Sequence, residues 1–276
     1  MFPLSSFLTR WLSDYSDEWG ELLEGLEPGE ADETRLERET ADELEDPATP
    51  SIAPVEYPVE DLYDEAAGVK YPSGKVKRTR FRPVNLAKRR VIVVLHQMGV
   101  ERKDSSRRWK YTTASRVITP LGRRLRLHPV RTRLVEANAF DRRPFHGIGF
   151  EIAGNFEETD GDRQWYKPDK FGRGRMGEAQ IIACRQEIAA VVDEVNAIPG
   201  VVVEGIAPHR VSGRNKRGRP NRPLCPGSRA WSMCGEWAAR ELGLAIPGPD
   251  FKLGGLTIPD RWHGPYWQGG EGLRFL

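Results

Sequence analysis

One nine-residue run, Val91-Ile92-Val93-Val94-Leu95-His96-Gln97-Met98-Gly99, constrains this chain more than any other. Four β-branched residues and a leucine in succession show no polar alternation, so the strand they predict must be covered on both faces. Gly99 lets the chain turn away just beyond, which leaves His96 at the strand's mouth. A histidine there is, taken alone, an ordinary core or rim residue. A second apolar stretch, Val201-Val202-Val203-Glu204-Gly205, also delivers a histidine, His209 in Ile206-Ala207-Pro208-His209-Arg210. Sixteen residues further on, Cys225 lies in the turn Leu224-Cys225-Pro226-Gly227. Two strand-end histidines and one turn cysteine make the three-ligand set that zinc takes when a fourth position is left for water.

The 276 residues, 38% hydrophobic and 30% charged, suffice for one medium-sized domain with extra segments rather than for two full domains. The net charge of +2 hides a division. Residues 1–68 hold 20 acidic and 3 basic residues, whereas residues 69–276 hold 39 basic and 20 acidic. A basic body of this kind is drawn to a polyanion, cell-wall polymer or nucleic acid, or is simply a solvated surface. Three cysteines, Cys184, Cys225 and Cys234, are not the dense framework of a small disulfide-stapled protein. The first ten residues lack a basic region ahead of their short apolar stretch, which does not resemble a secretory signal, and no run is long and apolar enough to predict a membrane span.

Apolar positions Phe7, Leu8, Trp11, Leu12, Tyr15, Trp19, Leu22, Leu23 and Leu26 recur every three or four residues and predict an amphipathic helix over 1–26, a face for packing on the body, a second copy or another protein. Residues 27–74 are read as an acidic disordered linker, because Glu, Asp, Pro and Ala dominate most of it and aromatics are few. A basic collar, residues 75–90, leads into the first core strand. Val117 to His128 predicts two short strands around a turn at Pro120-Leu121-Gly122, and Ile148 to Ala153 predicts another core strand. Residues 177–197 carry Ile181, Cys184, Ile188, Val191, Val192 and Val195 at helical spacing before Pro199-Gly200. A second helix is expected from Arg229 to Leu242, closed by Gly243, with Cys184 and Cys234 as small core residues. Residues 245–276, rich in Gly, Pro and Trp, read as an irregular wrap or a partner surface. The alternation predicts an α/β domain over 75–244 with a mixed central sheet flanked by helices.

Four pieces in order, Val94-Leu95-His96, Gly147 to Phe156, His209-Arg210-Val211-Ser212-Gly213 and Cys225-Pro226-Gly227-Ser228-Arg229-Ala230-Trp231, resemble the zinc-dependent N-acetylmuramoyl-L-alanine amidases. This is the fold shared by bacteriophage amidase lysozymes and peptidoglycan recognition proteins. The resemblance implies that Zn2+ is held by His96, His209 and Cys225, that peptidoglycan is the partner, and that the amide between N-acetylmuramic acid and L-alanine is cleaved at the cell wall, by a phage lysin or an exported protein. Some members of the family use a tyrosine on the hairpin strand and others a glutamate in a Gly-Ile-Glu motif. With Gly122 on the family's turn glycine, Ala114 occupies the tyrosine position, while Phe150-Glu151-Ile152 keeps the glutamate, which implies Glu151 as general base. Many members carry a lysine two residues before the third ligand, where this chain has Pro223. Its oxyanion role then passes to a neighbour, Arg222, Arg219 or Lys216, of which Arg222 is the expected one.

His128, before Pro129, is expected at the rim, and His146, five residues from Glu151, is a second candidate for substrate contact. His263 lies in the tail without an assigned partner. Two other classes compete. A binding module that kept the groove without the catalysis would fit the missing tyrosine and lysine. A nucleic-acid-binding protein would fit residues 75–90 and 214–222, but no nucleic-acid motif accompanies them and none is expected to bind.

Overall fold

A computed structural model of the chain describes residues 55–66, 82–99, 104, 109–110, 112, 114–133, 144–157, 165, 167–211, 222–247 and 255–263. The amphipathic helix expected over 1–26, most of the acidic linker, and the loop that holds Lys216 and Arg219 lie outside the described residues.

The Val91 run forms the centre of a six-stranded sheet. Strand β3 (Arg90–Gln97) is buried from Val91 to its end and is flanked on both sides, as its unbroken apolar sequence requires. Its neighbours are β7 (Phe145–Ile152) and β8 (Val203–Pro208), and both run parallel to it. Beyond β7 come β4 (Arg116–Ile118), parallel to β7, then β5 (Arg124–Arg126), antiparallel to β4, and β1 (Val59–Asp61), parallel to β5. The order β1-β5-β4-β7-β3-β8 is therefore a mixed sheet. A separate two-stranded ladder joins β2 (Arg82–Pro83) to β6 (Thr132–Arg133). The predicted hairpin is β4–β5, and its turn depends on Gly122, at φ +83°, where a Cβ would strike the Tyr57 ring and the Ala179 carbonyl.

Two short helices, α1 (Tyr63–Ala66) and α2 (Pro168–Phe171), lie at the margins. The long helix α3 (Glu178–Asn196) starts where the periodicity placed it, and the Gln180 side chain accepts a hydrogen bond from the Gly177 N–H. The expected second helix is built from α4 (Ser228–Ala230), a π-helical stretch Trp231–Glu236 and α5 (Trp237–Glu241). Trp231, Met233, Cys234 and Ala238 from this stretch pack with Ile181, Cys184, Ile188, Val191 and Val195 of α3 against Val91, Val93, Leu95, Ile148, Phe150 and Ile152. Both Cys184 and Cys234 are core residues, as expected. Alternate residues of β3, Ile92 and Val94, face the other side and pack with Phe145, Ala207 and Val211, where Ile258 of the C-terminal segment leans on them. Pleating therefore places His96 and its cross-strand neighbour Glu151 on the face opposite the helices.

Three expectations need correction. Residues 55–66, read as part of a disordered linker, form the edge strand β1 and helix α1, with Leu62 and Ala66 buried. Acidic composition concealed a strand that β5 recruits, and Glu56 and Glu60 meet Arg124 and Arg123. His128 is buried rather than at the rim, because the chain after β5 folds back so that Leu127 and His128 both direct their N–H groups at the Ser115 carbonyl. His146 pairs with Val91, whereas Glu151 pairs with His96. Five residues of strand put about 16 Å between His146 and Glu151, and the His146 Nε2 is 2.8 Å from the Val130 carbonyl, inside the core.

Candidate metal centre

Parallel pairing brings the two histidines together. Leu95 of β3 pairs with Pro208 of β8, so His96 and His209 leave adjacent strands at the same edge. Their Nδ1 atoms are 2.8 Å apart, with ring centroids at 4.2 Å and planes inclined by 56°. The carboxyl ends of parallel strands are where open α/β sheets gather their ligands, since neighbouring chains diverge there. Cys225 reaches the same point from the turn before α4, and its Sγ lies with the two imidazoles in a set whose donor atoms are all within 4.8 Å.

That turn is held from several sides. Gly227 adopts φ +95°, and a Cβ there would come within 3.0 Å of the Glu157 carbonyl, so the Pro-Gly after the cysteine lets the turn lie flat on the exit of β7. Arg210, next to His209, donates from its backbone to the Cys225 carbonyl at 3.1 Å and from its guanidinium to the Pro223 carbonyl at 2.6 Å. Its Nε donates to the Thr257 carbonyl, and its guanidinium stacks over the fully buried Trp262 ring at 4.7 Å. The described part of the C-terminal tail thus braces the centre. Gln97 donates its backbone N–H to the Cys225 Sγ at 3.2 Å. Neither Gln97 nor Arg210 was singled out by sequence reasoning, because hydrogen bonds to irregular backbone leave no periodic signal.

The electrostatics favour neutral imidazoles. Burial pushes the His96 pKa down to about 3, with the Arg222 guanidinium adding to the effect. Burial likewise holds His209 well below the usual histidine range, with His96 and Arg222 contributing. Both rings therefore keep a lone pair, the form in which imidazole ligates metals. Burial and the Glu151 carboxylate raise the Cys225 thiol to about 12, against the opposing pull of Arg222 and the Gln97 N–H. A divalent cation among these donors would reverse that balance and favour the thiolate.

Glu151 Oε1 is 4.0 Å from His96 Nδ1, so the carboxylate borders the donors, on a side chain that is 20% exposed although its Oε2 is buried. Arg222 stands at φ +49°, a left-handed backbone uncommon for a residue with a side chain, three residues before the cysteine. It acts on all three donors. Ala114 is buried and Pro223 is exposed, and neither residue carries a polar side chain. His263 Nδ1 contacts the Glu236 carboxylate, away from the three donors.

No protein-family profile and no curated protein matches this sequence. Solved structures similar to it include the Ph2119 endolysin from Thermus scotoductus MAT2119 bacteriophage Ph2119, at 14% identity and a TM-score of 0.35 over 64% of this chain and 97% of that one. The Drosophila peptidoglycan recognition protein SD is similar at 12% identity and a TM-score of 0.41, over 69% of this chain and 98% of that one. The endolysin N-acetylmuramoyl-L-alanine amidase LysCS from Clostridium intestinale URNW is similar at 14% identity and a TM-score of 0.37, over 70% of this chain and all of that one.

Proposed function

We propose that this protein is a zinc-dependent amidase of peptidoglycan, cleaving the amide between the lactyl group of N-acetylmuramic acid and L-alanine. The observation that carries the reading is the meeting of His96, His209 and Cys225 donors within 4.8 Å at one sheet edge, beside Glu151. The substrate follows from the ordered motifs that resemble the zinc amidases, from Val94-Leu95-His96 to Cys225-Pro226-Gly227. The donor set suits zinc. Tetrahedral bonds to imidazole and thiolate hold donor atoms roughly 3.3–3.6 Å apart, and the separations here, from 2.8 Å to at most 4.8 Å, bracket that range. Zinc held by these residues supplies Lewis acidity, acidifying water towards a pKa of ~7 and polarising a carbonyl.

The remaining chemistry falls to the chain. Glu151 Oε1 accepts the proton of the attacking water and returns it to the leaving nitrogen, a role open to a carboxylate that borders the donors on a partly exposed side chain. Arg222, charged at every working pH, faces the negative charge that develops on the carbonyl oxygen. Buried His96 and His209 stay neutral and available as ligands below the pH at which an exposed histidine is protonated, because protonating them means burying a cation.

A second reading, a peptidoglycan-binding module without hydrolysis, is favoured by one pair of observations: Ala114 and Pro223 stand where many amidases carry tyrosine and lysine. Purified cell walls separate the two. The amidase releases new N-terminal alanine without new reducing sugar ends and clears the suspension. Sedimentation with the walls, bound metal and no released alanine would establish the binding module instead.

A further inference from the structure

We propose that Gln97 is a positioning residue that fixes the Cys225 sulfur against the two histidines. The inference rests on the metal reading above and extends it to a residue that touches no substrate. Gln97 ends β3, one residue after His96, and is 5% exposed. Its Oε1 accepts from the Phe156 N–H at 2.5 Å, and its Nε2 donates to the Leu224 carbonyl at 3.0 Å. The backbone N–H of the same residue donates to the Cys225 Sγ at 3.2 Å.

One side chain therefore ties three segments together: the end of the His96 strand, the chain five residues past Glu151, and the turn that presents the cysteine. Phe156 forms only an isolated bridge with Gly174 and Leu224 lies in a turn, so the Phe156 N–H and the Leu224 carbonyl take their partner from the Gln97 amide. Glutamine meets both needs, one acceptor and one donor on a planar amide. Glutamate could still accept from Phe156 but would set a carboxylate against the Leu224 carbonyl. The N–H to sulfur contact depends on the height at which the turn is held, and the Gln97 amide ties that turn to the strand that carries His96.

Cobalt(II) titration of the full chain tests this, because a thiolate-to-cobalt charge-transfer band reports sulfur at the metal independently of hydrolysis. Gln180→Ala is the matched control: Gln180 is also a buried amide with one accepted and one donated bond, to the Gly177 N–H and the Ala153 carbonyl, but it does not touch the cysteine turn. Gln97→Ala is expected to weaken cobalt binding about 10–100-fold and to diminish the band, whereas Gln180→Ala lowers the unfolding temperature with affinity and band unchanged. Gln97→Glu, which keeps an acceptor for the Phe156 N–H and loses the donor to Leu224, is expected to follow Gln97→Ala. Wild-type band and affinity in both Gln97 variants, or equal weakening in Gln180→Ala, would overturn the proposal while leaving the metal reading intact. A wild-type chain that gives no thiolate band would remove both.

Discussion

His96 and His209 are separated by 113 positions in sequence, yet their Nδ1 atoms stand 2.8 Å apart with both rings held neutral by burial. Two neutral imidazoles and a nearby thiol converging in this way should bind a divalent ion more tightly in the folded state than in the unfolded chain. Zinc at about 100 times its dissociation constant is then expected to stabilise the protein by about 2.7 kcal/mol, and a chelator to reverse the gain. Calorimetry with and without chelator measures it, and identical unfolding temperatures would count against the site.

Cys225→Ser replaces the soft donor with a hydroxyl that stays protonated. Zinc affinity is expected to fall by more than the roughly 10–100-fold that loss of a supporting hydrogen bond costs, and elemental analysis after dialysis should find the variant depleted. Full occupancy would remove Cys225 from the ligand set.

Glu151→Gln preserves shape at the strand edge and removes the basic oxygen 4.0 Å from His96. Wall hydrolysis is expected to fall about 10²–10⁴-fold with metal content and wall binding retained. Undiminished release of N-terminal alanine would exclude Glu151 as the base.

Away from the centre, Glu187 is fully buried and gathers three guanidinium groups, with Arg116 Nε at 2.9 Å, Arg126 Nε at 2.8 Å and Arg124 Nη1 at 3.9 Å. Arg116 extends the network to Glu194 and to the His128 carbonyl. Glu187→Ala strands a fully buried arginine without this counter-ion and is expected to cost about 3–5 kcal/mol, read as a lower urea midpoint with cobalt affinity in the surviving folded protein unchanged.

Gly205 of β8 lies against Ala245, whose carbonyl oxygen would be 2.4 Å from a Cβ at that position. Gly205→Ala forces β8, which leads into His209, away from the Ala245 segment, at an expected cost of about 1–3 kcal/mol. Thermal unfolding checks this, and an unchanged midpoint would show that the Ala245 segment yields freely.

Much of the scaffold was legible because it obeys a period. The unbroken apolar run of β3 announced a strand covered on both faces, and the three-and-four spacing of residues 181–195 announced α3 almost to the residue. The hairpin at Gly122 and the helix closed by Gly243 were legible from turn chemistry, although the second helix contains a π-helical stretch that spacing did not reveal. Edge strand β1 was missed because an edge needs only one partner, and its charged residues read as linker.

By itself, the sequence determined which side chains could serve as donors, His96, His209 and Cys225, and that two of them end apolar strands. Register was beyond it. A shift of one residue between β3 and its neighbours would send Glu151 to the other face, and nothing local says that His146 belongs to Val91 while Glu151 belongs to His96. Hydrogen bonds between distant strands and the packing of both sheet faces made that choice. They also brought in Gln97 and Arg210, whose partners are backbone groups of distant segments and therefore come within reach only once the fold has assembled.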